Sequence, residues 1–546
     1  MKKNIVYTLL AGAVMLFAPA CKKQIDDAYL NPNANVKVPI EKLLPQVTSA
    51  FAGNYGGHGS LNDARYIGLY VQNFGYASGA DIYDQQFSPL GDFPASWFRV
   101  HYYDFGQNLN RIIEWGTEEK KWDYVGVAHA IFAYSWLNLT DIHGEVTLKE
   151  AFNTNLLTFK YDTQPEVYEH ARNTCFTALE YLNKTGDGVS QANLALGDQY
   201  FYGGDVNKWK KFVYAVLARY HHHQSNKTTY KADSVIYYSN LSLQNNSDNA
   251  MVKYANSGVS ATANFFGPLR NNIGASGRFI RQGAYIANIM NGTNTLFSGV
   301  KDPRAWYMLR GNTNNTIVGV PQNLGQVSGI STRADRPENF FGVSQNAVAA
   351  VNTTPTNDLN CRYIFRNAAP TPVITASEIK FMKAEAAFIK GDKAIALEAY
   401  KEGISLNFDL LMTDYNVNIP ADKVITVTIK NDFLNNAAVV PLNAADLTLS
   451  HIMLQKYIAL FGYGSYETWV DMRRYHYTDA DVNGAQVYRD FVLPTGNALY
   501  IDNGGSPIYR VRPRFNSEYV WNIEELRRIG AEAVDYHTKE LWFSKK

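Results

Sequence analysis

Cysteine is scarce in this sequence. Its 546 residues include three cysteines, Cys21, Cys175 and Cys361, which are too few for a disulfide framework. Cys175 shares a predicted helical face with Val167 and Ala178, so we expect it to be a small buried residue. Cys21 stands apart, because it directly follows an apolar N-terminal stretch.

An excess of charge of either sign is also missing. Lys and Arg total 51 against 50 Asp and Glu, a formal net charge of +1, and only 18% of the residues are charged. This balance provides no general attraction to nucleic acid or to anionic lipid. The sequence contains no H-E-x-x-H, no phosphate-binding P-loop and no G-x-S-x-G. A glycosidase stays open, because its two carboxylates need not be neighbours in sequence.

Long hydrophobic runs are missing beyond the N-terminus. There the apolar run Ile5–Ala18 follows the basic start Met1-Lys2-Lys3, and small residues come after it. A bilayer span needs about 20 apolar residues, which is more than this run supplies. The arrangement predicts a secretory signal peptide over residues 1–20.

Cys21 closes the sequence FAPAC at 17–21, which resembles a bacterial lipobox. We expect cleavage before Cys21 and lipidation of its sulfur, so that the mature chain is anchored to a membrane without spanning it. The alternative is ordinary cleavage that leaves a free cysteine. Residues 21–39 are polar and rich in Asn and Pro, which predicts a lipidated tether.

Aromatic residues, in contrast, are abundant. They make up 14% of the chain and include 37 tyrosines. Tyrosine combines a large apolar ring with a hydroxyl, and it is enriched on surfaces that hold a partner. A large helical core also uses many aromatic side chains, so both roles are open for each ring.

The stretch 122–146, WDYVGVAHAIFAYSWLNLTDIHGEV, predicts one long helix around which the chain is organised. Trp122, Val125 and Phe132 recur at helical spacing, and Gly144 ends the pattern. A helix so rich in large apolar side chains must be covered by others. Similar helices recur along the chain, so we predict a mainly α fold of tetratricopeptide-like helix pairs with long irregular insertions.

At two places a threonine is followed three residues later by a glutamate: Thr163–Glu166 and Thr375–Glu378. This pattern predicts a capping box at the start of a helix. The second opens a helix–Gly391–helix unit of about thirty residues, which resembles a tetratricopeptide repeat. Another predicted helix ends in the run 221–223, His-His-His. Adjacent side chains on a helix point about 100° apart and cannot all chelate one ion, so we interpret this run as a cationic or solvated helix end.

Helical periodicity fails over residues 76–97 and again over about 250–360. The first segment mixes Gly, Pro, Asp and Ser with aromatic residues, and the second is rich in Gly, Asn, Ser and Thr. Long segments without periodicity are uncommon in a compact domain and are often functional. Ligand binding is therefore expected there.

An ordered set of motifs resembles the SusD/RagB family over nearly the whole mature chain. These motifs are the lipobox-like start, AHAIFAYSWLNLTDIHGEV, KWKKF at 208–212, Asp302-Pro303-Arg304, AEA at 384–386 with Gly391-Asp392, and QKYIAL at 455–460 leading to Glu467-Thr468-Trp469 and Arg473-Arg474. The resemblance implies an outer-membrane lipoprotein of Bacteroidetes that forms a lid on a SusC-like TonB-dependent transporter and binds glycan or peptide for import, and it implies no enzymatic activity. It also implies four tetratricopeptide-like helix pairs with the ligand site in irregular segments between them.

We therefore expect a single SusD-like α-superhelical domain over residues 40–546. Its parts are an N-terminal helical part at 40–249, a loop-rich segment at 250–374, and C-terminal helical repeats and loops at 375–546. The leading functional hypothesis is a lipid-anchored, cell-surface protein that captures oligosaccharide and delivers it to the transporter. Three alternatives stay open: the same fold importing peptides, a secreted polysaccharide hydrolase, and a helical-repeat scaffold that binds only protein.

Sugar rings stack on aromatic faces, while Asn, Asp and Arg hydrogen-bond sugar hydroxyls. An aromatic pair contributes about 0.5–1.5 kcal/mol, so several contacts must converge to reach micromolar affinity, about −8 kcal/mol. The predicted ligand contacts are Tyr83 and Trp97 from the first irregular segment and Phe265, Phe266, Arg270, Trp306 and Tyr307 from the second.

The stretch 479–490 follows the spacing of a calcium loop, with oxygen ligands at positions one, three, five and twelve and a glycine at six. The predicted ligands are Asp479, Asp481, Asn483 and Asp490. Position twelve is Asp where Glu is usual, and a solvated polar turn is the alternative. No cofactor is expected to be required, and a structural calcium ion is the one candidate.

The lipid anchor can be tested directly at Cys21. The Cys21→Ser variant should lose incorporation of a labelled fatty acid and should leave the membrane fraction, because the thiolate sulfur is the acylated atom. Cys175→Ser serves as the matched control and should keep both properties. An unacylated wild-type protein, free in the periplasm, would contradict the prediction.

Overall fold

The computed structural model of the protein describes residues 37–53, 59–76, 96–273, 280–321, 337–342, 357–513 and 515–546. One large hydrophobic core runs through these ranges, from Ile40 near the start to Phe543 near the end. Among the helices of these ranges, none has the length and apolar character that a membrane crossing requires.

The first half of the described chain is built from helices packed side by side. They are α1 Leu44–Ala50, α2 Ser60–Tyr70, α3 Ser96–Arg99, α4 Gly106–Glu118, α5 Trp122–His143, α6 Gln164–Leu182, α7 Gln191–Asp198, α8 Val206–His222 and α9 Ala232–Leu241. A π-helical turn, Val100–Phe105, joins α3 to α4.

The second half of the described chain contains further helices. These helices are α10 Ala284–Asn291, α11 Ala305–Met308, α12 Ala376–Lys390, α13 Lys393–Asp414, α14 Val427–Leu434, α15 Leu449–Ala459, α16 Ser465–Arg474 and α17 Ile523–Arg528. A second π-helical turn, Ser517–Trp521, precedes α17. The four short strands are β1 Phe74–Tyr76, β2 Ala250–Val252, β3 Ile280–Gln282 and β4 Thr371–Ile374.

Helix α5 is the predicted central helix, and it is buried along almost its whole length. It packs against α4, α6 and α8, so apolar side chains all round it are covered. Gly126 allows close approach, since a Cβ there would lie 2.6 Å from Leu182 Cγ. Gly144 ends the helix with a φ of 83°, which a side chain would strain.

Neighbouring helices pack in pairs, as the sequence predicts for the unit around Gly391. Helix α5 packs along α6, α8 along α9, and α12 along α13. Gly391 ends α12 in the left-handed region at a φ of 93°, and the Asp392 carboxylate then accepts a hydrogen bond from Ile395 N to start α13. Helices α15 and α16 pack mainly on α12 and on α2. The mainly α, helix-pair fold class is confirmed.

Two small antiparallel sheets fasten the irregular segments to this helical frame. Strand β1 pairs with β3, with Tyr76 opposite Ile280, and β2 pairs with β4. Each sheet has two strands, so neither could stand without the helices beneath it. The sheets position the middle of the chain on the frame.

A buried cluster of charged side chains joins five helices, and we call it the charge cluster. Its members are Asp141 of α5, Arg219, His222 and His223 at the end of α8, Glu378 and Glu385 of α12, Lys456 of α15, and Glu467, Asp471 and Arg474 of α16. At most 5% of any of these side chains is exposed. Such groups are stable in the interior only when they are paired and hydrogen-bonded.

The pairing is dense. Lys456 Nζ lies 2.7 Å from Asp471 Oδ2 and 3.2 Å from Glu467 Oε1. Arg474 donates to Glu385 Oε1 at 2.6 Å and to Asp471 Oδ1 at 2.6 Å. Every carboxylate of this group therefore faces a cation from another helix or another turn.

His222 and His223 correct the interpretation of the histidine run as a solvated helix end. His222 is fully buried with Nε2 2.7 Å from Glu385 Oε2, and His223 Nε2 lies 3.0 Å from Glu467 Oε2. His221 alone is half-buried at the surface. The prediction was wrong because a single helix does not show the acidic partners that other helices supply.

The two capping signatures also have different outcomes. Thr163 N and Oγ1 donate to Glu166 Oε2 at 3.0 and 2.6 Å, which confirms the first capping box. Thr375 caps α12 by accepting from Glu378 N, but the Glu378 carboxylate accepts from Arg219 at 2.7 Å instead of closing the box. The charge cluster takes this carboxylate away from its local role.

Burial and pairing move the pKa values of the cluster in opposite directions. Burial is the largest influence on His223, and it is outweighed by the charges of Glu467 and Asp141, which raise its pKa to about 9. Burial lowers the pKa of His222 to about 4 and raises that of Glu378 to about 7. At neutral pH His223 is therefore the charged histidine.

The raised pKa of His223 predicts a loss of stability in mild alkali. A pKa of about 9 in the folded state against 6.5 unfolded means that the contribution is complete below pH 6.5 and is lost as pH rises to about 9. Its full size is on the order of 3 kcal/mol, since each pKa unit corresponds to about 1.4 kcal/mol. His223→Gln should flatten the fall of the unfolding free energy between pH 6.5 and 9, measured by chemical denaturation.

His221→Gln is the matched control for that measurement, because the pKa of His221 is lowered to about 4 by burial. It should leave the slope between pH 6.5 and 9 unchanged. A His223→Gln profile as steep as the wild-type profile would contradict the assignment.

Candidate functional site

Four of the aromatic residues predicted to contact ligand lie in the core. Trp97, Phe265, Phe266 and Tyr307 have no exposed surface. A ring without an exposed face cannot stack on a sugar, so these four are corrected from candidate ligand contacts to core residues. A large apolar ring suits a protein core as well as a stacking contact, so the property that made these residues candidates also explains their burial.

The other predicted contacts differ among themselves. Tyr83 lies outside the described residues. Trp306 is half-buried, with Lys423 Nζ 5.3 Å from its ring centroid, while Arg362 donates to its carbonyl at 3.0 Å. Arg270 is half-buried elsewhere, so the structure does not bring these side chains together.

Arg270 braces a cavity, which we call the Arg270 cavity. The guanidinium donates to the carbonyls of Ser260, Gly53 and Ala261 at 2.9, 3.0 and 2.8 Å. These bonds tie the segment after β2 to the chain that follows α1. Burial lowers the pKa of the Arg270 guanidinium.

The Arg270 cavity has a volume of about 460 Å³, which is within the range of small-ligand sites. It lies between α1, the α7–α8 connection and the segment that follows β2. Its lining residues are Pro45, Gln46, Ser49, Gly53, Tyr200, Val252, Lys253, Tyr254, Ala255, Ala261, Thr262 and Arg270.

The lining combines ring faces with uncharged polar groups and two cations, Lys253 and Arg270. Tyr200 is 46% exposed and Tyr254 is half-buried, so both rings border the open side. Lys253 N donates to Tyr200 O at 2.9 Å, which holds the two tyrosine-bearing segments together. Gln46 and Thr262 add an amide and a hydroxyl. This is the set of groups that binds a hydroxylated, uncharged ligand.

A second polar surface lies on the half-buried side of α2 that carries Arg65 and Tyr66. Arg65 donates to Asn62 Oδ1 at 2.9 Å, to the Tyr66 hydroxyl at 2.6 Å and to Asn272 O at 2.7 Å. Its guanidinium also lies 5.9 Å from the Phe265 ring centroid, over the core. Arg65 and Tyr66 are half-buried and held in fixed positions, so they can hydrogen-bond a ligand without losing much side-chain entropy.

Asp63 anchors α2 on its buried side. Its carboxylate accepts hydrogen bonds from Ser96 N at 3.0 Å and Trp97 N at 2.9 Å, and the Tyr466 hydroxyl of α16 also donates to it. Burial raises the pKa of this carboxyl to about 7. The anchor fixes the start of α3 against α2 and α16 and so sets the position of Arg65.

Catalytic groups are missing from the cavity wall. Among the residues that line the Arg270 cavity there is no Asp, Glu or His. Hydrolysis of a glycosidic bond needs a pair of carboxylates across the scissile bond. As far as the described part of the chain shows, this cavity can bind a ligand but lacks the groups for that reaction.

Sequence reasoning missed Arg65, Tyr66, Tyr200 and Tyr254 as site residues. Tyr200 follows α7 in a turn, which offers a weak signal for an exposed ring. Arg65 and Tyr66 lie inside a regular helical pattern, where nothing distinguishes a ligand-facing position from a solvated one. Their role depends on Asn272, which is about two hundred residues away in sequence.

The predicted calcium loop forms a tight turn whose acidic residues have protein partners. Asp479 Oδ2 lies 2.8 Å from His476 Nδ1 and 3.1 Å from Lys546 Nζ. Asp481 Oδ1 accepts from Asn483 N at 2.9 Å and from Ala485 N at 3.1 Å, within its own turn. Both carboxylates act as structural acceptors.

Asp490 belongs to another contact. Its two oxygens accept from Thr295 N at 2.6 Å and from the Thr295 hydroxyl at 2.7 Å. The carboxylates of Asp479, Asp481 and Asp490 form no cluster within 4.8 Å in the described ranges. The spacing that resembles a calcium loop is therefore used for turn contacts, because Asp490 turns toward a different segment.

Two groups in the charge cluster have the donor types of a metal site. They are His222, His223 and Glu467, and His222, Glu385 and Asp471, each with ligand atoms within 4.8 Å of one another. Lys456 and Arg474 already neutralise Glu467, Asp471 and Glu385. A divalent ion would have to sit beside these cations, so the group is better explained as a structural ion-pair network.

Comparison with known proteins gives a consistent result. Residues 32–495 match a family model, SusD-like_2, that is described as starch-binding and associating with the outer membrane. A search of curated proteins found no match.

Solved structures of similar shape cover almost the whole chain. A SusD/RagB family protein from Bacteroides thetaiotaomicron is 20% identical, with a TM-score of 0.65, over 93% of this chain and 99% of that one. A SusD homolog from Bacteroides fragilis is 19% identical, with a TM-score of 0.64, over 92% and 100%. A chitin-binding SusD homolog from Flavobacterium johnsoniae is 17% identical, with a TM-score of 0.65, over 92% and 98%.

The geometry of the 479–490 turn predicts that calcium does not stabilise the protein. Millimolar calcium should leave the melting temperature unchanged, because Asp490 is engaged by Thr295 and Asp479 by His476. Differential scanning calorimetry with and without a chelator measures this. A calcium-dependent rise that Asp481→Ala abolishes would instead restore the calcium-loop interpretation.

Proposed function

Because the chain belongs to the SusD-like family, we propose that it binds carbohydrate at the cell surface. The observation that carries this proposal is the match of residues 32–495 to a family described as starch-binding and associating with the outer membrane. The chitin-binding relative of the same fold supports a glycan as the ligand class. Peptide as ligand stays the second candidate, although no contact of the cavity favours it.

The ligand site of this proposal is the Arg270 cavity together with the Arg65 and Tyr66 surface of α2. Tyr200 provides an exposed ring for stacking, and Gln46, Thr262 and Tyr66 provide amide and hydroxyl groups for sugar hydroxyls. The described wall contains no carboxylate, so a bound sugar meets no catalytic pair there. Binding without hydrolysis is the activity that this chemistry supports.

The wider role follows from the predicted address of the protein. In this proposal, lipidation at Cys21 attaches the protein to the outer membrane. A polysaccharide fragment is too large to cross that membrane unaided. We propose that it captures oligosaccharide there and passes it to a SusC-like TonB-dependent transporter. The helical frame keeps the site rigid, so little conformational entropy is lost on capture.

Carbohydrate binding can be tested with the purified protein and two probes, amylopectin and chitohexaose. Tyr200→Ala should weaken binding of the probe that the wild type recognises by about two- to tenfold, since an aromatic stacking contact is worth about 0.5–1.5 kcal/mol. Isothermal titration calorimetry and affinity electrophoresis provide the measurements. Reducing-end release should stay at background.

Tyr237→Ala is the matched control, because Tyr237 is 59% exposed on α9 and does not line the Arg270 cavity. It should bind as the wild type does. Equal binding by wild type and Tyr200→Ala would remove the cavity from the proposal, and release of reducing ends would favour the hydrolase.

A further inference from the structure

Trp521 is an unusual tryptophan for this protein. All nine tryptophans lie in the described residues, and Trp521 is the one that is exposed, with 72% of its surface open. It ends the π-helical turn before α17, next to Val520, which is 51% exposed. An indole exposed to water contributes little to the stability of the fold. Its open face is therefore a candidate contact for a ligand or a partner.

The exposed indole borders a groove, which we call the Trp521 groove. Two cavities of about 360 and 460 Å³ share Glu150, Lys160 and Glu525 as lining residues, so they adjoin each other. Trp521 and Thr158 line the first of them. No residue of this groove lines the Arg270 cavity, so the two sites are separate.

The groove is rigid although it lies in irregular chain. Asn522 Oδ1 accepts from Phe159 N at 3.0 Å, and Asn522 Nδ2 donates to Phe159 O at 2.9 Å. Glu525 accepts from Tyr161 N at 3.0 Å. Beneath these bonds lies a second small core that includes Tyr161 and Leu526. A site held in this way does not have to be ordered by its ligand.

The charges of the groove restrict the ligand class. Five carboxylates and three cations line the two cavities, so a polyanionic chain would be repelled. Lys160 is exposed, and Glu150 Oε2 accepts only a main-chain bond, from Lys160 N at 2.7 Å. Such groups suit hydroxyls, which both donate and accept, while the Trp521 face suits the apolar side of a sugar ring.

Two carboxylates of the groove, Glu166 and Glu525, are poor candidates for a catalytic acid. A hydrogen bond from Lys149 is the largest influence on Glu166 and lowers its pKa to about 2, and the pKa of Glu525 is also lowered, with Arg528 as its partner. A glycosidase acid needs a raised pKa so that it holds a proton. The groove is therefore arranged for binding.

We propose that the Trp521 groove is a second carbohydrate-binding site, which takes an uncharged sugar chain with one ring stacked on Trp521. The inference rests on the proposed carbohydrate-binding function, and it adds a contact outside the Arg270 cavity. Two separate sites on one molecule let a long polysaccharide be held at two points, which raises its apparent affinity over that of a short fragment.

Fluorescence isolates this site because Trp521 is the exposed tryptophan. Acrylamide should quench an emission component in the wild type that Trp521→Phe lacks. Saturating chitohexaose or maltohexaose, whichever the protein binds, should protect that component from quenching. Trp306→Phe, which changes a half-buried tryptophan outside both sites, is the control and should keep the component and its protection.

Affinity electrophoresis in gels that contain amylopectin or glycol chitin gives the second measurement. Trp521→Ala and Tyr200→Ala should each reduce retardation by about two- to tenfold in apparent affinity, and the double variant should be reduced further. Trp521→Phe should restore most of the binding, and Tyr237→Ala should match the wild type.

The outcomes separate the two claims. A wild type that binds no polysaccharide in either gel contradicts the proposed function itself. A wild type that binds, loses affinity with Tyr200→Ala, and is unaffected by Trp521→Ala overturns the second site alone. Protection of Trp521 by oligolysine and by no sugar also overturns it and identifies the groove as a site for basic peptide.

Discussion

The buried charge cluster is the constraint on which the rest of the structure depends. Removing one member of a buried ion pair costs about 3–5 kcal/mol, because the remaining charge is left without a partner in a poorly polarisable interior. Here the cluster ties α5, α8, α12, α15 and α16 to one geometry. Helix α16 then holds α2 through Tyr466 and Asp63, and α2 carries Arg65 on its half-buried side. The geometry of the binding surface is thus fixed from the centre of the molecule outward.

Local patterns predicted the helical frame, because a helix is specified by residues three and four apart. The spacing of apolar residues identified α5, and the Gly391-Asp392 turn identified the α12–α13 pair. The histidine run shows where this reasoning stops. The acidic residues that pair with His222 and His223 lie about 80 to 250 residues away in sequence, on other helices. The sequence of one helix alone therefore suggests a solvated end.

The candidate site was predictable as a region but not as a set of residues. Irregular composition after β2 directed attention to the segment that contains Arg270 and part of the wall of the candidate cavity. Composition cannot tell an exposed ring from a buried one, and Phe265 and Trp97 are as aromatic in the core as Tyr200 and Trp521 are at the surface. Exposure is decided by packing between distant segments, for which the sequence carries no local signal.

The two-stranded sheets have an evolutionary consequence. Strands of three or four residues, such as β1 and β3, fasten the irregular segments to the frame at a few main-chain bonds and require little of the side chains beyond them. Substitutions and insertions in the irregular segments next to these strands, outside the helices, can accumulate without disturbing the ion pairs or the helix contacts. Such an arrangement allows the surface of the irregular segments to change while the architecture persists through very low sequence similarity.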